Sequence, residues 1–161
     1  MACIIREPNW KKTLEAASAS YYKLIIVVGS ISAGKTQLIK DIAGYGYDYF
    51  NFGVEFSRRM LARPINSRAV EAEQIAIDMI ESQCSRKLAI DNTEVLFEPP
   101  IQLNPLALLK RLSFNHLIVA TWNGQFDNNK LTYGFIGHPA FQEFRYTEQD
   151  TFIIVPIVTP L

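Results

Sequence analysis

The chain has 161 residues, 48% of them apolar, and its 16 basic and 16 acidic side chains cancel to a formal charge of zero. This size suits one domain over residues 1–161, and the neutral balance gives no whole-chain attraction to nucleic acid or membrane. We find no secretory leader and no apolar run near the ~20 residues that a transmembrane helix needs, so we expect a cytoplasmic protein.

The first predicted elements are a helix and a strand. Trp10, Leu14 and Ala17 recur at helical spacing, which predicts a short leading helix within residues 8–22. The apolar run at 23–28 then predicts a strand with both faces buried, because it does not alternate with polar residues.

The segment after this strand carries the most specific motif. It reads G-S-I-S-A-G-K-T, which fits the Walker A pattern G-x-x-x-x-G-K-[ST] of loops that bind the phosphates of ATP. In such a loop Lys35 reaches the β- and γ-phosphates, Thr36 ligates Mg²⁺, and backbone N–H groups surround the phosphate oxygens. A chance glycine-rich turn is the alternative, but the flanking strand and helix favour the phosphate loop. The candidate ATP-binding residues are Gly29, Ser30, Ile31, Ser32, Ala33, Gly34, Lys35, Thr36 and Gln37.

The next segments are a helix, a strand and a group of arginines. The helix is predicted from Lys35 to about Ala43, and a partly exposed strand is predicted at 47–52, where aromatic and polar residues alternate. An arginine cluster follows, and it could reach a neighbouring subunit's phosphates, bind DNA or simply solvate a surface. Its members are Arg58, Arg59, Arg63 and Arg68, and Arg111 and Arg145 are further candidates for contacting a neighbour's phosphates.

A second motif lies after an amphipathic helix predicted at 66–83, with Asn66 or Ser67 as its cap. The run L-A-I-D-N-T-E-V-L-F has the form of a Walker B strand, predicted at 87–91, whose last residue is Asp91. An acid there holds Mg²⁺ through water or through Thr36, although it could alternatively cap a helix. We therefore predict Thr36 and Asp91 as the metal-binding pair.

The residues after Asp91 bear on hydrolysis. In the additional-strand, catalytic-glutamate class of P-loop proteins, a glutamate stands directly after this aspartate, but here the position is Asn92. Glu94 is the nearest carboxylate and our candidate base, with a surface acid as the equal alternative, whereas Asn92 could orient but not deprotonate water. Slow unaided turnover is the natural expectation.

The second half of the chain adds two strands. Asn104-Pro105 predicts the start of a helix through about Leu112, and strands are predicted at 116–121 and 151–155. Between these strands lies a long segment, residues 123–150. Within it we predict a short helix at 139–144 that starts at Pro139.

The order of these elements predicts a P-loop NTPase of three layers, α/β/α, with a mostly parallel five-stranded sheet. Ligands of such folds bind at the carboxyl ends of the strands. In ring-forming AAA+ ATPases, a polar residue at the end of the fourth strand contacts the γ-phosphate or the attacking water. By that resemblance we assign this role to Asn123, with Thr121 second, while a simple turn at Gly124 is the alternative.

The two motifs, together with the late segment Y-G-F-I-G-H-P-A-F-Q-E-F-R-Y, resemble the BrxF family of small P-loop proteins in type III BREX bacteriophage-exclusion systems. The resemblance spans most of the chain. It implies a bacterial cytoplasmic ATP-binding protein that acts with a methyltransferase, a second large ATPase, a phosphatase-like protein and a helicase. From the order of the elements we expect an AAA+-like core without a C-terminal lid domain after the last strand.

We therefore predict a module that binds ATP and Mg²⁺, hydrolyses ATP slowly, and forms nucleotide-dependent homo-oligomers. Two other functions remain open. The chain could be a small-metabolite kinase with residues 58–68 as a flexible lid, or a non-hydrolysing nucleotide switch or DNA-binding subunit.

Overall fold

A computed structural model describes residues 3–31 and 33–157, and within them helices flank a mostly parallel sheet. The strands are β1 (Cys3–Ile4), β2 (Leu24–Gly29), β3 (Asp48–Asn51), β4 (Lys87–Asp91), β5 (Leu117–Asp127), β6 (Lys130–Tyr133), β7 (Gln142–Arg145) and β8 (Ile153–Pro156). The α-helices are α1 (Trp10–Ser18), α2 (Lys35–Ile42), α3 (Phe52–Leu61), α4 (Arg68–Glu81) and α5 (Pro105–Leu112). None of the described helices is long and apolar enough to cross a membrane.

Six strands lie side by side in the order β1-β8-β2-β5-β4-β3, and every pairing in this row is parallel. All of β2 is buried because the row covers both its edges and helices cover both its faces. That environment explains its unbroken run of aliphatic residues. The carboxyl ends of β2, β4 and β5 therefore meet at one edge of the sheet.

Two apolar clusters, one on each face, hold the helices against the sheet. On one face α1 and α2 pack through Leu14, Ile39 and Ile42 against alternate residues of the strands. On the other face α3, α4 and α5 pack together with the aromatic residues Phe97 and Trp122. The predicted arrangement of a mostly parallel sheet with helices on both faces is thus confirmed.

Several predicted elements are confirmed with small changes of bounds. The strand predicted at 87–91 is β4, with the same bounds. Asn104 caps α5, as predicted, by accepting the N–H of Ala107 at 3.0 Å. The leading helix is present but shorter, at Trp10–Ser18. The predicted capping of α4 is wrong: the Ser67 hydroxyl donates instead to the carbonyl of Pro64, and no side chain caps this helix.

The predicted number of strands is also wrong, since the described residues form eight strands rather than five. The strand expected to end at Thr121 continues to Asp127 and forms an antiparallel hairpin with β6, to which β7 adds. The helix predicted at 139–144 is replaced by β7. The turn between β5 and β6 has positive φ at both Asn128 and Asn129, a conformation that asparagine tolerates and that suits a tight hairpin.

Sequence analysis also missed α3. Asn51, the last residue of β3, caps this helix by accepting the N–H of Val54 at 3.2 Å. The helix buries Phe52, Phe56 and Met60. Residues 52–61 therefore form a packed helix, which includes the first part of the 58–68 segment.

The hairpin depends on the close approach of its two strands at Gly124. A Cβ atom there would lie 1.7 Å from the backbone oxygen of Thr132. We expect Gly124→Ala to lower the free energy of unfolding by about 1–3 kcal/mol, because the hairpin backbone must move. Urea denaturation of the parent and of Gly124→Ala measures the difference in the free energy of unfolding.

Gly44→Ala is the matched control, since a Cβ at Gly44 meets nothing within 4 Å. It should change the stability by no more than about 1 kcal/mol. Equal effects of the two changes would contradict the tight hairpin.

Candidate functional site

The glycine-rich loop joins β2 to α2 at the carboxyl edge of the sheet. Gly34, the residue before α2, has φ of 86°, a left-handed conformation that favours glycine. The loop is closed internally by the N–H of Ala33, which donates to the carbonyl of Ser30 at 3.1 Å. Ser32 lies outside the described residues.

The first turn of α2 presents unused N–H groups. No side chain caps this helix, and its first main-chain bond runs from the N–H of Leu38 to the carbonyl of Gly34 at 3.2 Å. The N–H groups of Lys35, Thr36 and Gln37 therefore have no acceptor within the helix. Such a helix start attracts anions, through these donors and through the helix dipole.

Lys35 lies beside this turn and is 5% exposed. Its Nζ donates to the backbone oxygen of Gly29 at 3.0 Å and also to that of Ser30. Burial lowers the pKa of its ammonium, while the negative charges of Glu94 and Asp91 act in the opposite direction. The lysine is thus a poorly hydrated cation next to two acids and a row of free amide donors.

Asp91, at the end of β4, is 3% exposed and accepts three hydrogen bonds. Its Oδ2 takes the hydroxyl of Tyr49 at 3.1 Å, and its Oδ1 takes the N–H of Asn92 at 2.9 Å and the hydroxyl of Thr121 at 3.3 Å. Two oxygens offer about four lone-pair positions, so one acceptor position remains. Asp91 can accept one more donor, such as a metal-bound water.

Asn92 adopts a left-handed conformation, with φ of 57°. Its side-chain Nδ2 donates to Oδ1 of Asn51 at 2.9 Å, the same oxygen that caps α3. This bond holds one end of the amide toward α3. Asn and Asp tolerate this backbone conformation better than Glu does, which explains why the position does not carry the glutamate expected of the class.

Glu94 lies in a short 3₁₀ helix, Thr93–Phe97, that follows β4. Its charge acts on Lys35, and it also contributes, after burial, to raising the pKa of Tyr133 to about 12. The ring of Tyr133 stacks on Phe97 with centroids 3.7 Å apart. The structure therefore brings Glu94 to the same side of the site as Lys35 and Asp91.

Thr121 and Asn123 differ in what they contact. The Thr121 hydroxyl orients Asp91, and its carbonyl accepts the hydroxyl of Thr93 at 2.5 Å. Asn123 pairs in register with Gly29 of the loop, and among described residues its side chain has no hydrogen-bond partner. Asn123 therefore has a free amide beside the loop.

Sequence analysis missed Tyr49 and Asn51 as site residues. Both lie on β3, which pairs with β4 so that Asn51 stands opposite Asp91. The alternation of β3 indicated a strand, but its aromatic residues were interpreted as packing. Only the strand order shows that β3 ends beside Asp91.

Two clefts flank the loop. One, of about 550 Å³, borders the start of α2 and is lined by Pro8, Trp10, Leu38 and Ile157 among others. The second, of about 710 Å³, lies between the loop and the β5–β6 hairpin. The first cleft offers an aromatic ring and aliphatic side chains next to the free N–H groups of α2.

The arginine cluster is paired locally. Arg58 and Arg59 both donate to Glu55, at 2.6 Å and 2.8 Å, and Arg63 lies 3.7 Å from Glu71. Arg68 donates to the carbonyl of Arg63 at 3.0 Å. Outside the cluster, Arg111 pairs with Glu73 at 3.3 Å. These contacts favour surface roles for the cluster.

No group of three His, Cys, Asp or Glu side chains in the described ranges could hold a metal ion. Mg²⁺ in phosphate-binding sites keeps several waters and takes only one or two protein ligands. Thr36 is exposed at the start of α2, and Asp91 retains one acceptor position. These residues fit a magnesium ion carried in with a phosphate chain.

The ion pairs of Glu55 predict a pH-dependent stability. Hydrogen bonds from Arg58 and then Arg59 lower the pKa of Glu55 from its ordinary 4.5 to about 2. A lowered carboxyl pKa stabilises the folded state above the ordinary value, and that contribution disappears as the pH falls from 4.5 to 2. We expect Glu55→Gln to lower the free energy of unfolding by up to about 1 kcal/mol at neutral pH. Near pH 2 the same change should leave it unaltered.

Urea denaturation over this pH range measures the effect of Glu55→Gln. In a control background carrying Arg58→Gln and Arg59→Gln, the same change should have little effect. A loss of stability that does not depend on pH would contradict the ion-pair explanation.

Comparisons with models of protein families, with curated proteins and with solved structures gave no match. The fold and the site described above are therefore the basis for any functional assignment. That basis is a buried lysine, free amide donors and two acids at the carboxyl edge of a parallel sheet.

Proposed function

We propose that this chain is a P-loop NTPase that binds ATP with Mg²⁺ and hydrolyses ATP slowly. One observation carries the proposal: the buried ammonium of Lys35 lies next to the uncapped start of α2 and within the electrostatic reach of Asp91 and Glu94. A triphosphate supplies the anion that both the lysine and the free N–H groups lack.

The roles of the residues follow from their positions. Lys35 and the N–H groups of α2 bind the phosphates, and Thr36 and Asp91 hold Mg²⁺, Asp91 through a water. The bound ion neutralises charge that develops on the phosphates during hydrolysis. Glu94 accepts a proton from the attacking water, and Asn123 orients that water or the γ-phosphate. The strand order supports this class, since β5 is an additional strand between β2 and β4.

The adenine is assigned to the cleft beside α2. The acids lie on the β4 side of the loop, so the γ-phosphate points there and the nucleoside lies at the opposite end, toward β8. This cleft borders β8 through Val155 and Ile157 and offers Trp10 and Leu38 as apolar contacts. An aromatic ring next to aliphatic side chains is typical of a site for a base.

The cellular role rests on the resemblance to the BrxF family. On that ground we propose a cytoplasmic, nucleotide-dependent homo-oligomer that works with the other proteins of a type III BREX defence system. Asn92 at the position of the usual glutamate supports slow unaided turnover, because it leaves Glu94 as the nearest carboxylate. Self-assembly or a partner would complete the site.

A small-metabolite kinase is the second candidate, and the cavity of about 710 Å³ beside the loop favours it. An acceptor bound there would lie next to the phosphate loop. Phosphate release from ATP without any acceptor supports the ATPase. Phosphoryl transfer that occurs only after a metabolite is added supports the kinase.

Replacement of Lys35 tests nucleotide binding. With Lys35→Met we expect the rise of the melting temperature caused by ATP and Mg²⁺ to disappear, because the phosphates lose their buried cation. The unliganded variant should be at least as stable as the parent, since it no longer buries an ammonium. Thermal denaturation with and without ATP and Mg²⁺ measures both.

Lys40→Met, on the exposed last turn of α2, is the matched control and should keep the ligand-induced rise. In the parent, ATP at about 100 times its Kd should add about 2.7 kcal/mol of stability. If Lys35→Met binds ATP as well as the parent, the assignment of the loop is wrong.

Replacement of Glu94 tests hydrolysis. We expect Glu94→Gln to lower kcat by about 100-fold or more while ATP affinity changes little, because a general base acts only in the chemical step. Steady-state phosphate release and ATP titration measure the two quantities. Glu98 is an exposed acid just beyond the same 3₁₀ helix, so Glu98→Gln is the matched control and should turn over ATP like the parent. Equal rates for both variants would remove Glu94 from the mechanism.

A further inference from the structure

The larger cavity beside the loop adjoins the cleft assigned to adenine, and Arg6, Pro156 and Ile157 line both. Its volume of about 710 Å³ falls within the range of small-molecule sites. Residues 29–31 of the loop form one wall, and residues 123–127 of β5 form another. The turn after β6 and the side of β8 close the ends, through Phe135, His138 and Ile157.

The cavity exists because β5 is longer than its neighbour. β2 ends at Gly29, opposite Asn123, while β5 continues to Asp127. Side chains alternate along a strand, so Asn123, Gln125 and Asp127 share one face. Phe126, on the other face, contacts the ring of Tyr146 with centroids 5.7 Å apart. The extended strand thus presents a row of polar side chains beside the phosphate loop.

Several polar groups around this cavity lack partners. Within residues 3–31 and 33–157, no hydrogen bond or ion pair satisfies the side chains of Arg6, Asn123 or Gln125. Each amide offers both donors and an acceptor, and the guanidinium offers donors. These side chains are available to a ligand.

His138 adds a donor of fixed orientation. Its Nδ1 accepts the N–H of Ala140 at 3.0 Å, so the neutral ring carries its proton on Nε2. The ring is held by edge contacts with Phe135 and Tyr133, at centroid distances of 5.2 Å and 6.3 Å. It lines the cavity from the turn after β6.

The remaining lining favours a flat, uncharged ligand. Phe135 and Ile31 are exposed by 68% and 86%, so their apolar surfaces face water unless a ligand covers them. The two charged lining side chains, Arg6 and Asp127, are of opposite sign. Aromatic surface combined with Asn and Gln amides is the chemistry by which proteins recognise the edges of nucleobases.

We propose that this cavity is a second ligand site, which takes an uncharged planar heterocycle of the nucleobase class while ATP occupies the loop and the other cleft. Gln125 and His138 bind the edge of the heterocycle, and Phe135 covers its face. The ligand contacts residues 29–31, the segment whose carbonyl groups hold Lys35. The site goes beyond ATP binding and does not depend on hydrolysis.

The test is calorimetric titration of the full chain with adenosine, guanosine, cytidine and uridine, each with and without a saturating non-hydrolysable ATP analogue and Mg²⁺. The analogue fills the adenine cleft, so binding that persists in its presence reports the second site. We expect at least one nucleoside to bind with Kd below about 1 mM under both conditions.

Two variants locate the binding. Gln125→Leu should weaken the nucleoside by about tenfold, equivalent to about 1.4 kcal/mol, without changing affinity for the ATP analogue. Gln149→Leu, an exposed glutamine outside the cavity, is the matched control and should bind like the parent.

Three results would overturn the second site: no binding of any nucleoside, competitive displacement by the ATP analogue, or equal affinity of Gln125→Leu and the parent. Displacement of a nucleoside whose binding Gln125→Leu weakens would mean that the cavity holds the base of ATP itself, whereas displacement without that weakening would mean that the nucleoside occupies the adenine cleft. If instead the analogue fails to bind while a nucleoside binds and Gln125→Leu weakens it, the second site stands and the proposed ATPase function falls.

Discussion

The arrangement of the site depends on keeping a lysine ammonium out of water. Lys35 is almost fully buried, and burial lowers its pKa, so the loop must supply compensating groups. The carbonyls of Gly29 and Ser30 accept hydrogen bonds from its ammonium, and Asp91 and Glu94 supply opposing charge. A cation held in this way interacts strongly with an incoming anion, because little water screens it. In the proposed complex with ATP, this attraction would offset the cost of burying the cation.

The acidic part of the site is rigid for a different reason. Asp91 receives three hydrogen bonds from three parts of the chain: the end of its own strand, β3 and β5. These bonds hold the carboxylate in one orientation before any ligand arrives. Asn92 is held in turn by Asn51, the residue that starts α3. The side chain of Asn51 therefore links the start of α3 to the end of β4.

Sequence reasoning identified the parts of this structure that have local signals. The unbroken aliphatic run of β2, the strand ending at Asp91 and the Asn104-Pro105 start of α5 were each readable from neighbouring residues. The region after Thr121 was not, because Gly, Pro and polar residues at 123–145 resemble a loop while the hairpin is determined by pairing between strands. Pro139 suggested a helix start, but it precedes β7. Contacts such as that of Tyr49 with Asp91 require the strand order, which no local pattern contains.

The pairing of β2 with β5 also affects how the protein matures. Leu24 pairs with Ile118 and Gly29 with Asn123, so the two walls of the candidate site come from distant parts of the chain. During synthesis the loop leaves the ribosome long before its partner strand exists. Topologies with such distant pairings fold slowly, because a long loop must close before contacts form. The loop and β5 can therefore pack together only once translation has passed β5, and until then the aliphatic strand β2 lacks the neighbour that covers one of its edges.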